Sequence, residues 1–213
     1  MSTTDWADEA ADPTVEPPAD PTAEPARAVG VVPDAGRGSL PFSLVHGESL
    51  VAAASWALAE AGVELLDFDV TWPAVRDLGR PVVFHDPLCP LTPAAFITAL
   101  VDRARASGVV QVAVRPVTDT IKSVAGSATD GVVGATVDRD ALLTVTSPVV
   151  LPAAVAAALA DARLGDADLV ALVTALRDRF EVRFVEAPSI GRRVEDTSSV
   201  RVLEAFAEQH PGG

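Results

Sequence analysis

The sequence has one cysteine, Cys89, no tyrosine, few aromatics and no apolar run of membrane-spanning length. A single thiol excludes an intrachain disulfide and a thiolate metal cluster. It fits a reducing compartment, so a cytoplasmic location is expected. No basic stretch followed by an apolar run stands at the N-terminus, which argues against a secretion signal. The most apolar segment, Thr144 to Leu159, is shorter than a bilayer span and is interrupted by Pro148 and Pro152. No membrane partner is therefore expected. Positive charge is also scarce: 16 Lys and Arg stand against 30 Asp and Glu, a formal net charge of -14. Binding to nucleic acid in general needs clustered cations against the phosphates, so nucleic acid is not an expected partner. A few placed cations and backbone amides still suffice for a nucleotide pocket.

What the 213 residues do hold is alanine and valine, in quantity enough to fill the core of one α/β domain. Residues 1–27 stand apart as an acidic, Pro/Ala/Thr-rich tail with no basic residue before Arg27. Such a segment buries too little apolar surface to offset its ordering entropy, and disorder is expected. It serves either to solubilise the protein or to dock a basic partner.

From Ala28 onward short strands and helices alternate. Strands are expected over Ala28–Val32, Val63–Val70 (ended by Trp72-Pro73), Pro81–Phe84, Val109–Val114, Leu142–Val145 and Val182–Glu186. Helices are expected over Ser49–Ala61, from Thr92-Pro93 to about Ser107, and over Ala153–Ala162, Ala167–Arg179 and Thr197–Gln209. Val117–Val137 reads as a hairpin turning around Gly126–Gly131. This alternation predicts a mostly parallel sheet covered on both faces, with the hairpin projecting.

Three places carry candidate chemistry. After the first strand, Pro33-Asp34-Ala35-Gly36-Arg37-Gly38-Ser39 forms a loop whose glycines let the backbone approach a phosphate. An ordinary tight turn is the alternative, since neither a P-loop lysine nor a third glycine follows. Asp86 at a strand end is either a magnesium ligand, hard oxygen suiting that ion, or a loop cap. Thr118–Lys122 is either a functional strand or a solvent-facing one. Cys89 has no identifiable base beside it, which disfavours a reactive thiol.

These segments resemble the 2-C-methyl-D-erythritol 4-phosphate cytidylyltransferase family. VVPDAGRGSLPFSLV stands where that family has P-A-A-G-x-G-x-R followed by P-K. HDPLCP stands for H-D-A-A-R-P, and PVTDTIK, with Asp138-Arg139 after it, for P-V-x-D-T-x-K and its later D-R. LLTVTSPVVLP is similar to L-x-x-V-Q-T-P-Q-x-F, with Ser147 at the threonine position, and Gly165-Asp166-Ala167-Asp168 stands for T-D-D. Arg193 in GRRVEDTSSV corresponds to a lysine near the family's C-terminus.

The resemblance implies a Rossmann-like nucleotidyltransferase fold over residues 28–210, with a protruding β-arm at about 117–137. It implies CTP as nucleotide substrate, held by Ala35, Gly36, Gly38 and Ser147, and Mg²⁺ at Asp86. Arg37 and Arg193 would supply catalytic positive charge, and Thr120 and Arg139 would hold methylerythritol phosphate or a related phosphorylated metabolite. The arm implies a homodimer. Departures cluster on the nucleotide side. Ser39 and Leu40 stand at the loop arginine, Phe42 at the lysine, and Cys89 at the arginine of the H-D segment. Thr146 and Val149 replace two glutamines, and the stretch that recognises cytosine has no counterpart between Gly38 and His85. The expectation is a shortened, divergent member with weak or lost cytidylyl transfer. The alternative is a non-catalytic regulatory paralogue, or one forming a heterodimer with a complete family member.

Overall fold

The computed structural model describes residues 27–67, 70–127, 130–159 and 168–209. In chain order the strands are β1 (Val29–Val31), β2 (Leu44–Val45), β3 (Glu48–Ser49), β4 (Glu64–Leu65), β5 (Val82–Phe84), β6 (Val110–Pro116), β7 (Ile121–Ala125), β8 (Val132–Val137), β9 (Leu143–Leu151) and β10 (Val182–Glu186). The helices are α1 (Leu50–Glu60), α2 (Trp72–Asp77), α3 (Ala94–Ser107), α4 (Ala153–Ala158), α5 (Leu169–Arg177) and α6 (Thr197–Gln209).

Six strands build the main sheet in the order β10-β6-β9-β5-β1-β4. All neighbouring pairs are parallel except those of β9, which runs antiparallel to both β5 and β6. The central strands are rich in valine, as strands buried on both faces favour. Because successive side chains point to opposite faces, Val82 and Phe84 enter one core layer and Val83 the other. The first layer packs Val29, Val82, Phe84, Val112 and Val149 against α2, α4 and α5. The second packs Val83, Ala113 and Val150 against Leu58 of α1 and Ile97, Leu100 and Ala104 of α3. A third cluster joins Leu50 and Val45 to Val194, Val200 and Leu203, fixing α6 beside β2. Each fully buried Val or Leu contributes about 1.5–3 kcal/mol.

Local signals explain the helix ends. Ser49 accepts the Ala52 amide at 3.2 Å as the cap of α1. Asp168 accepts the Val170 and Ala171 amides and starts α5. Asp196 accepts the Ser199 amide at 2.7 Å, and the same contact holds its carboxyl below the usual range. No helix among the described residues is long and apolar enough to cross a membrane.

Several elements differ from expectation. Of the strand or strand-like connection expected over Val63–Val70, Glu64–Leu65 form β4, and residues 68–69 lie outside the described residues. Trp72-Pro73, expected to end it, instead opens α2, because proline costs nothing in a first turn whose amides are unpaired anyway. Trp72 is buried, stacks with Phe84 at 6.4 Å and donates Nε1 to the Leu159 carbonyl at 3.0 Å. The short strand over Leu142–Val145 is the nine-residue β9, which accommodates Pro148 with a cis Ser147–Pro148 bond. Helix α4 stops at Ala158, and residues 160–162 of the expected helix lie outside the described residues. So do residues 1–26 of the acidic tail and the Gly165-Asp166-Ala167 step. The hairpin forms as β7 and β8, a two-stranded sheet separate from the main one.

Candidate functional site

The parallel strands end on one side of the sheet, and the chain segments that leave them enclose a cleft of about 860 Å³. This is the edge where open α/β sheets place their ligands. Ala35, Gly36 and Arg37 follow β1, Asp86 follows β5, Arg115 to Asp119 end β6, and Arg192, Arg193 and Glu195 follow β10. The start of β9, from Leu143 to Thr146, and the cap of α5 complete the lining. Gly36 and Gly38 have φ of +77° and +59°, a backbone that side chains disfavour, and open space stands where a Cβ would be. The loop between them turns Arg37 back towards the sheet.

At the base of the cleft Arg37, Asp86 and Arg193 form an ion-pair triad. Arg37 Nε lies 2.9 Å from Asp86 Oδ1, and Arg193 Nε lies 3.3 Å from Oδ2. The Leu88 amide also donates to Oδ1, at 2.9 Å, and Arg37 Nη1 donates to the Ala35 carbonyl at 2.9 Å. The Asp86 and Arg37 side chains are 5% and 8% exposed, whereas Arg193 is 37% exposed on the rim. A carboxylate this buried needs charge partners, and here both of its oxygens are taken.

Beneath the triad Asp86 donates its amide to Ser147 Oγ at 2.9 Å, and Ser147 Oγ is hydrogen-bonded to His85 Nδ1. His85 and Ser147 are fully buried. Burial pushes the His85 pKa down to about 4, with Asp86 opposing only in part, so the imidazole is neutral near pH 7. Burial, reinforced by Asp86, drives the Cys89 thiol far above its usual range and leaves it protonated. Neither the serine nor the thiol faces the cleft. Both belong to the packing beneath it.

Of the residues singled out from sequence, Ala35, Gly36, Arg37, Asp86 and Arg193 meet in the cleft. Gly38 shapes the loop without lining the cavity, and Ser147 lies behind its wall. Thr120 and Arg139 are exposed at the base of the arm, where Arg139 Nη1 donates to the Thr118 carbonyl. Two further arginines line the cleft without having been singled out. Arg115 donates to the Ala187 carbonyl at 2.8 Å, and Arg192 lies over the Phe206 ring at 5.0 Å. Their only sequence signal was a cation at a strand end and a doubled arginine.

A protein-held divalent ion does not fit this donor set. Among the described residues no three His, Cys, Asp or Glu side chains gather to hold a metal. Asp86 meets two guanidiniums where Mg²⁺ would require free oxygens at about 2.0–2.1 Å.

Residues 71–188 match the family model for 2-C-methyl-D-erythritol 4-phosphate cytidylyltransferase, more than half of the chain. The chain belongs to that family. It is a divergent member of these nucleotidyltransferases of isoprenoid biosynthesis. The enzyme of that name from Thermus thermophilus superimposes with a TM-score of 0.58 at 21% identity, covering 87% of this chain and 100% of that one. The 4-diphosphocytidyl-2C-methyl-D-erythritol synthase of Anaerococcus prevotii gives 0.59 at 13% identity, covering 85% and 95%. A CMP:2-keto-3-deoxy-manno-octonic acid synthetase complexed with CTP gives 0.54 at 13%, covering 86% and 99%. At such identities these structures establish the Rossmann-like fold, with its mixed, mostly parallel sheet, that this cytidylyltransferase family member shares. Comparison with curated protein sequences gave no match.

Proposed function

We propose that this divergent cytidylyltransferase family member binds a phosphorylated metabolite of the methylerythritol phosphate kind in its cleft, and that cytidylyl transfer from CTP is weak or lost. The observation that carries this reading is the triad. Asp86, packed against the glycine loop, is closed between Arg37 and Arg193, so those cations neutralise the protein instead of a triphosphate. Ser39 to Phe42, standing at the family's loop cations, form a short 3₁₀ turn with Phe42 turned to solvent. Groups that stabilise developing charge usually contribute most of the acceleration in such transfers, and losing one costs on the order of 10²–10³ in rate.

A second reading concerns assembly. Val124, Val132 and Val133 on β7 and β8 are exposed on a hairpin outside the main sheet, which favours cover by another chain. That chain is a second copy or, in the regulatory version, a complete family member.

Pyrophosphate release from CTP with Mg²⁺ and methylerythritol phosphate tests the proposal, with Asp86→Ala as control. The expected result is no release above the control, while calorimetry detects binding of the sugar phosphate. Robust release abolished by Asp86→Ala would overturn it.

A further inference from the structure

We infer that β10 is a self-association edge, at which two copies of this chain join their main sheets by pairing β10 with β10, antiparallel, about a two-fold axis at Val182. The strand stands last in the sheet order, and no strand among the described residues pairs with its outer side. It runs five residues in unbroken register with β6, without proline or bulge. The opposite edge, β4, is two residues long. Edges are usually blunted by shortness, by a kink, by cover or by charge that repels a copy. The charge along β10 is of both signs: Glu181 precedes the strand, and Arg183 and Glu186 stand in it.

The backbone restricts how a copy can pair. The Glu181 carbonyl accepts the Val110 amide at 3.2 Å, and the Ala187 amide donates to the Val114 carbonyl at 2.8 Å. In this parallel ladder Glu181, Arg183, Val185 and Ala187 turn their backbone groups to β6, and Val182, Phe184 and Glu186 turn theirs outward. A symmetric antiparallel pair bonds outward residues to one another. Centred on Val182, it sets Glu181 of each copy opposite Arg183 of the other, in the non-hydrogen-bonded position where side chains stand closest. Centred on Arg183, it sets that arginine against itself, and centred on Phe184 it faces Glu186 with Val182. Of the registers centred within the strand, only the first opposes unlike charges. Arg183 and Glu181 are 57% and 71% exposed and lie 3.7 Å apart within one chain, so pairing gathers four alternating charges. In the same register Phe184, 39% exposed, falls opposite the copy's position 180, also phenylalanine. The same patch serves both copies, so the contact closes on itself. One short strand per copy buries less than the roughly 1,200 Å² of a stable interface, which makes the association concentration-dependent.

Light scattering of the full chain over a concentration series at low salt tests this. The wild-type mass is expected to rise with concentration. Glu181→Arg or Arg183→Glu alone sets like charges opposite and should weaken association roughly tenfold, and the double reversal should restore it. Val182→Cys reads the register independently, because Val182 meets its own copy only in this one. The Cα atoms of such a pair stand about 5.5 Å apart, within disulfide reach, and the native Cys89 is buried. Mild oxidation should therefore give a covalent dimer on a non-reducing gel. A mass that never rises, a double reversal that fails to restore it, or a Val182→Cys chain that stays monomeric overturns the inference. A mass that rises but ignores both single reversals also overturns it, and assigns the association to the hairpin.

Discussion

His85 gives a pH dependence that can be worked from its surroundings. In the unfolded chain its imidazole titrates near 6.5, and in the folded protein near 4, because full burial penalises the charged ring. Between those values the unfolded chain binds a proton that the folded chain refuses. Stability from this group is therefore complete above pH 6.5 and is lost as pH falls towards 4. The slope approaches about 1.4 kcal/mol per pH unit, and the whole window is worth about 3 kcal/mol. Against a typical domain stability of roughly 5–15 kcal/mol that is a large fraction. Urea unfolding followed by tryptophan fluorescence, at half-unit steps from pH 7.5 to 4.5, measures it. His85→Asn is expected to be less stable at pH 7.5 yet to lose much less on acidification, so the two curves converge. Carboxylates remote from His85 titrate in both proteins and cancel in the difference. Parallel curves from pH 7 to 4.5 would refute the argument, since the imidazole would then not be held neutral by burial.

Trp72→Ala should cost about 3–5 kcal/mol, because it removes a buried ring packed on Phe84 and orphans the Leu159 carbonyl. Chemical denaturation reads this directly, and a loss below about 1 kcal/mol would mean that α2 contributes little to the core. Cys89 should resist a colourless disulfide reagent in the folded protein and react once urea exposes it. Rapid labelling in native buffer would contradict its burial and its raised thiol pKa.

Elements with one dominant signal were legible in the sequence. Helix α6 and strand β10 run over the expected residues, the first because its apolar positions repeat at helical spacing, the second because Val182, Phe184 and Val185 make a short run of strand-forming residues. Trp72-Pro73 misled because the same dipeptide ends a strand or opens a helix, and only the packing of Trp72 on Phe84 decides which. Strand β9 was underestimated because Pro148 interrupts its pattern, while the pairing with β5 and β6 that sustains it lies far away in sequence. In the site, Arg37, Asp86 and Arg193 were each visible as residue types at loop positions. Their closure on one another joins positions 49 and 107 residues apart, a fact of tertiary packing that no local spacing encodes. Ser147 was placed in the right segment but its side chain turns inward to His85, a choice of strand face set by register.

Strand β9 begins beside the arm and ends deep between β5 and β6, passing Ser147 on the way. An extended strand is nearly inextensible at about 3.3 Å per residue. Leu143, at its exposed start, stands four residues along the same strand from the hydroxyl that receives the Asp86 amide. The register shift between Val112 and Val114 falls opposite Thr146 to Pro148, so the pairing is irregular where the strand passes Ser147. One strand thus leads from the neighbourhood of the hairpin to the residue that supports the charge triad.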